Sequence, residues 1–239
     1  MQTSQELIAL LDLKNLGNNT FSGDSYTIGS PNVFGGQVLA QAVNAAYRTI
    51  PENRFLHSLH SYFLEAGDLT VPIQYKVEEM RNGGSFSTRR VTAIQHDKSI
   101  FILAASFHKK EEGFEHQTNF DANIKQPEEL LSWDDMLAQF GDFLPKSTKA
   151  FLSVKRPIEF KPVRVPNPLD PKDLPATEQV WFRLKGEKID LDHRTKQEIL
   201  TYISDYNLLN AAFNPNASTH NFGNTQTASL DHSMWFFRD

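Results

Sequence analysis

The sequence predicts an α+β protein in which one long helix of small residues lies on the face of an antiparallel sheet, with the same arrangement begun a second time. Three observations predict it. Residues 34–50, FGGQVLAQAVNAAYRTI, repeat small and apolar side chains at helical spacing. Residues 54–109 then change period into four segments rich in β-branched and aromatic residues. The second half repeats the order of strand, helix and a strand carrying a His-Ser pair.

The elements follow in order. SQELIALLDL, residues 4–13, has the pattern of a short amphipathic helix, with Ser4 as its expected cap, and FSGDSYTIG is a strand candidate. The alanines of the 34–50 helix let it approach a sheet closely, and Pro51 ends it. FLHSLHSYFLEAG, PIQYKVEEM, SFSTRRVTAIQHD and SIFILAASFHK are expected to form an antiparallel meander. Asn82-Gly83-Gly84 is a strong hairpin turn signal within it, and His96-Asp97-Lys98 is a second short turn. Residues 113–150 are a connector with a modest helical pattern at EELLSWDDMLAQFGDFL. A strand from Pro157 to Val165, a proline-rich loop, a strand over Glu178–Lys185, a helix over His193–Leu209 and a strand region over Thr225–Phe237 complete the second half. The expected organisation is therefore a first domain at 1–112, the connector, and a second domain at 151–239. In the repeat, Ser58-Leu59-His60-Ser61-Tyr62-Phe63 aligns with Leu230-Asp231-His232-Ser233-Met234-Trp235. The second copy is expected to be incomplete, because little sequence follows its His-Ser strand.

Composition excludes several classes. A net charge of -5 argues against a nucleic-acid partner, which selects a basic face. The absence of cysteine removes disulfides, a cysteine nucleophile and thiolate metal sites, and fits a reducing compartment. No apolar stretch has the length of a membrane span, no basic leader opens the chain, and a cytoplasmic location is expected. His57 and His60 lie three apart on a strand, face opposite sides and cannot chelate one metal, so no metal site is expected. FGGQ is not a dinucleotide fingerprint, and no GxSxG elbow is present.

Seven stretches in order resemble the acyl-CoA thioesterase II family: VFGGQVLAQA, HSLHSYFLEAGD, SFSTRRVTAIQ, GFEHQ, RPIEFKPV, YISDYNLL and SLDHSMWFFR. The resemblance implies a tandem double hot-dog fold, in which a long central helix is wrapped by a curved antiparallel sheet. It also implies fatty acyl-CoA as substrate, no cofactor beyond the coenzyme A of the substrate, and association into a homo-oligomer. In the family a helix-borne Asp, a hydroxyl residue and a Gln hold the water that attacks the thioester. The Asp corresponds to Asp205 and the hydroxyl to Ser229; the Gln has no counterpart here. The resemblance thus leaves two alternatives, a hydrolase and a protein that binds acyl-CoA without cleaving it.

The residues themselves fit such chemistry. A carboxylate set among apolar neighbours gains basicity, which suits Asp205 to activating water. Ser229 can orient that water. The N–H groups at Gly35-Gly36 are candidates for an oxyanion, with tight packing as the competing reading. Arg89 or Arg90, on opposite faces of one strand, is a candidate for the phosphates of coenzyme A, against a solvated edge. A hydratase would want a paired His and Asp near a helix middle, which the sequence does not supply.

Overall fold

The structure is a computed structural model that describes all residues except Pro166, Pro168, Leu169, Phe222, Gly223 and Asp239. Part of the proline-rich loop expected after residue 165 therefore lies outside the described residues. The chain divides into two compact units, each discontinuous in sequence. One comprises 7–112, 188–205 and 228–239; the other comprises 1–6, 113–187 and 206–227.

The first of these units is a helix wrapped by a sheet. Strands β1 (Lys14–Gly17) and β2 (Thr20–Gly23) precede helix α2 (Gly35–Tyr47), which is followed by β3 (Arg54–Phe63), β4 (Ile73–Asn82), β5 (Phe86–Gln95) and β6 (Lys98–Lys109). Helix α5 (His193–Ser204) and strand β9 (Asp231–Trp235) come from far along the chain. Among the described residues the sheet has seven strands in the order β1-β2-β4-β5-β6-β3-β9, all pairs antiparallel. Only β4, β5 and β6 form a meander. The expected four-strand meander is corrected, because β3 pairs with β6 rather than β4. Alternating side chains specify faces, not neighbours, so this crossover is invisible in the pattern.

All of α2 except Gly35 and Asn44 is buried. One side meets Tyr75, Val91, Ala93, Leu103 and Phe107 of the sheet, all buried in one core. The other side meets α5, through Asn44 Nδ2 donating to Glu198 at 3.1 Å and the Tyr47 hydroxyl bonding Gln197. Burial pushes the Glu198 carboxyl up to about 7. Helix α2 stops at Tyr47, before Pro51 is reached. His96 and Asp97 both have positive φ (51° and 60°), the geometry of a two-residue hairpin turn.

Pairing of β3 with β9 joins the two His-Ser strands, His60 opposite Ser233 and Ser61 opposite His232. His60 lies on the exposed face and His232 on the buried one. The alignment of the repeat is thus corrected by one residue. Faces match when Tyr62 is set against Trp235, both exposed, and Leu59 against His232, both buried. A one-residue slip exchanges the faces of a strand.

The other unit contains helices α3 (Trp133–Phe140), α4 (Lys146–Ser153) and α6 (Leu208–Phe213), and strands β7 (Ile158–Pro162) and β8 (Val180–Leu184), which pair antiparallel. Trp133, Phe160 and Tyr206 stack in series, with centroids 4.5 and 5.0 Å apart. Helix α4 has no counterpart among the sequence expectations. At the amino terminus, helix α1 (Ser4–Leu11) is capped one residue earlier than expected, by Thr3. The Thr3 hydroxyl accepts the Glu6 N–H while Ser4 is buried inside the helix.

Arg89 is also corrected. Its side chain is 1% exposed, and all its N–H groups are engaged. Nε donates to the Thr49 hydroxyl at 2.8 Å, Nη1 to the carbonyls of Arg81 and Thr88, and Nη2 to Thr49 O and to the Asn82 side chain. No donor remains for a phosphate; Arg89 ties β5 to the end of α2 and the tip of the β4–β5 hairpin. Arg90 is the exposed member of the pair, bonded to Glu78. Arg89→Lys, which replaces a five-donor fork with one ammonium, is expected to cost about 2–4 kcal/mol in chemical denaturation. Full stability in Arg89→Lys would count against the scaffold role and reinstate the phosphate role.

Candidate active site

The site forms where the end of α5 meets the start of α2. Helix α5 runs as expected from His193, capped by Asp192, but stops at Ser204 rather than Leu209. Asp205 is its C-cap, so the expectation that Asp205 sits within the helix is corrected. Two local features end the helix. Ser204 Oγ donates to the carbonyl of Thr201 at 2.8 Å, replacing a backbone donor, and Asn207 adopts a left-handed conformation with φ 65°.

Leaving the helix turns the Asp205 side chain, only 8% exposed, toward α2. The backbone N–H of Gly36 and the hydroxyl of Ser229 are directed at its carboxylate and favour the anion. Gly36 lies in the first turn of α2, where N–H groups have no acceptor inside the helix and the helix dipole favours a negative charge. Burial nevertheless dominates and raises the Asp205 carboxyl from 3.8 to about 6, against the lowering effect of those two groups.

The two glycines are required by close approach. A Cβ at Gly35 would lie 2.7 Å from Asp205 Oδ2 and 3.0 Å from the Phe63 ring; one at Gly36 would overlap the carbonyl oxygen of Tyr202 and the Phe34 ring. Phe34 and Tyr202 pack edge-to-face at 5.2 Å, and the Phe63 ring lies with Asp205 Oδ2 beside Gly35, so aromatic rings line this end of α2. Of the sequence candidates, the structure therefore brings Asp205, Ser229, Gly35 and Gly36 together and assigns Arg89 to the scaffold.

One neighbour was not anticipated. His232 on β9 has a side chain 5% exposed, with Nδ1 3.9 Å from Asp205 Oδ1 and Nε2 3.0 Å from Ser204 Oγ. Burial lowers its pKa. The pairing expected to be absent near the helix middle is present at the helix end, supplied by a strand. Only the His-Ser recurrence pointed at this residue. Among the described residues no group of three or more His, Asp or Glu is placed to hold a metal ion.

A helix wrapped by an antiparallel sheet, with a buried carboxylate at the helix N-terminus, defines a hot-dog protein with a polar site beside aromatic rings. A sequence-family model described as the acyl-CoA thioesterase N-terminal domain matches residues 22–108, and one described as acyl-CoA thioesterase matches residues 148–239. Acyl-CoA thioesterase 2 of Haemophilus influenzae is 40% identical over 97% of this chain and 80% of that protein. The crystal structure of acyl-CoA thioesterase II TesB2 from Mycobacterium marinum superposes with a TM-score of 0.72 at 33% identity, covering 98% of this chain and 79% of the other. A hot-dog protein of Alicyclobacillus acidocaldarius shares the fold, with a TM-score of 0.73 at 16% identity over 96% of this chain and 77% of the other. The chain belongs to the acyl-CoA thioesterase family and has its tandem hot-dog fold.

The site predicts an ordering of two substitutions. Gly36→Ala meets backbone and is expected to cost roughly 2–4 kcal/mol of stability. Gly35→Ala meets the movable Asp205 carboxylate and is expected to cost less stability but more turnover. Thermal melts beside thiol-release assays check both.

Proposed function

We propose that this chain hydrolyses fatty acyl-CoA to a fatty acid and coenzyme A, with Asp205 as general base. The observation that carries the reading is a buried carboxylate set against Gly35 at the start of α2, where burial raises its basicity and the Ser229 hydroxyl faces it. Asp205 takes one proton from water as the water oxygen attacks the thioester carbonyl carbon. The tetrahedral intermediate then collapses, the C–S bond breaks, and the departing sulfur takes the proton back from Asp205. Ser229 gives its hydroxyl hydrogen to the carboxylate and so fixes the orientation of the group that takes the proton. With the Gly36 N–H turned to the carboxylate, the first-turn N–H of Gly35 is the donor our reading assigns to the developing oxyanion. The non-catalytic binder finds no support in the comparisons, since the relatives are named as thioesterases.

In our reading the reaction uses no metal or organic cofactor, the partner is acyl-CoA rather than nucleic acid, and the two tandem copies correspond to 1–112 and 151–239 about the connector. No described helix is long and apolar enough to cross a membrane. The absence of cysteine supports a cytoplasmic location, testable by fractionation. One edge of β9 is unpaired among the described strands, which supports homo-oligomerisation, testable by light scattering.

Release of coenzyme A from medium- and long-chain acyl-CoAs tests the chemistry. Asp205→Asn is expected to lower kcat by about a hundredfold to ten-thousandfold, and Ser229→Ala by less. A base must be ionised, so kcat/KM is expected to rise with pH and reach half its plateau near the Asp205 value of about 6. A chelator is expected to leave the rate unchanged. Turnover that survives Asp205→Asn would sink the mechanism.

A further inference from the structure

Beyond Asp205 and Ser229, a third side chain reaches the same carboxylate, and its hydrogen-bond partners decide which way its lone pair points. The Asp205 N–H, next in line after α5, bonds Ile203 O, which leaves the carbonyl of Thr201 to the Ser204 hydroxyl at 2.8 Å. The single hydroxyl hydrogen of Ser204 is thereby committed. Toward His232 Nε2, 3.0 Å away, Ser204 Oγ can act only as acceptor, so Nε2 carries the ring proton. Burial favours the neutral ring. Nδ1 is left with a free lone pair facing Asp205 Oδ1 across 3.9 Å. That gap is too long for a direct hydrogen bond and suits a small bridging donor. The main chain of His232 is fixed independently, by pairing with Ser61 and by the Ser61 hydroxyl donating to His232 O at 2.9 Å.

We propose that His232 is a positioning residue for the hydrolytic water, held in its Nε2–H tautomer by Ser204 so that Nδ1 accepts the second O–H of the water while Asp205 takes the first proton. This inference rests on the reading of Asp205 as the base. No proton passes to His232: the second hydrogen stays on the attacking oxygen and becomes the hydroxyl of the tetrahedral intermediate. The geometry makes the water ditopic, with one O–H toward the carboxylate and one toward the imidazole, leaving its lone pair for the carbonyl carbon.

Two conservative substitutions separate this role from a structural one. An Asn amide oxygen can stand near the place of Nδ1, whereas a Gln amide reaches the place of Nε2. His232→Ala and His232→Gln are expected to lower kcat by about tenfold to a hundredfold at unchanged KM, and His232→Asn is expected to recover most of that loss. The reverse order, with Gln restoring and Asn failing, would mean that the bond to Ser204 is what matters and would overturn the proposal. Long-range proton–nitrogen spectra of the wild-type imidazoles, with His232 assigned by its loss in the Asn variant, read the tautomer directly and need no turnover. A neutral ring protonated at Nε2, losing that bias in Ser204→Ala, is expected; protonation at Nδ1 would overturn the proposal. Wild-type turnover that is lost in Asp205→Asn yet indifferent to all His232 variants sinks this inference alone. Absent turnover, or turnover indifferent to Asp205→Asn, sinks the water mechanism and this inference with it.

Discussion

The burial of α2 on nearly every side is the constraint on which the rest of the unit depends. A helix with sheet on one side and α5 on the other has no solvent-facing stripe, so alanine, valine and glycine fill it and every polar group needs an internal partner. Gln37 and Gln41 meet this need together. Gln37 accepts the N–H of Tyr26 and donates to Asp24 O, and Gln41 donates to Leu10 O while accepting the Tyr75 hydroxyl. These bonds lock the preceding loop and α1 against the helix. They also fix where the helix begins, and therefore where its unsatisfied N–H groups point.

At that beginning, opposing electrostatic effects meet on one carboxylate. Asp205 sits at the C-terminal end of α5, where the dipole repels negative charge, and at the N-terminal end of α2, where it attracts it. The Gly36 N–H and the Ser229 hydroxyl favour the anion, but loss of water outweighs them. A carboxyl whose folded pKa of about 6 exceeds its ordinary value of 3.8 binds a proton more tightly when folded, so its contribution to stability falls as pH rises between those values. The ionised group is carried at a cost of roughly 3 kcal/mol by that shift. A site that tolerates such a cost gains a base matched to neutral water chemistry.

Much of this was legible in the sequence, for identifiable reasons. Helix α2 and strands β3 to β6 follow directly from hydrophobic period and turn chemistry, and the His96-Asp97 turn lies where its residues announce it. The family motifs singled out Asp205, Ser229 and the glycine pair, which the fold then assembles. Arg89 was ambiguous because alternation gives two adjacent arginines opposite faces without saying which face is buried. The end of α5 was missed because YISDYNLL keeps helical spacing through Asp205, while the stop depends on a side-chain bond from Ser204 and the backbone of Asn207. His232 was missed as a site residue because its partner lies on another element, and only the β3–β9 register delivers it to the carboxylate.

That register has a consequence for biogenesis. Residues 58–62 emerge from the ribosome long before their partners at 231–235. Until then β3 presents a bare edge, and the buried face of α2 lacks the cover of α5. Pairings this remote in sequence form late, and nascent chains that wait for them are candidates for chaperone holding. The carboxylate, the hydroxyl and the imidazole all lie beyond residue 200, far from the strand they complete. The site therefore comes into being only after residue 232 has been made, and a polypeptide released before residue 205 would lack the base.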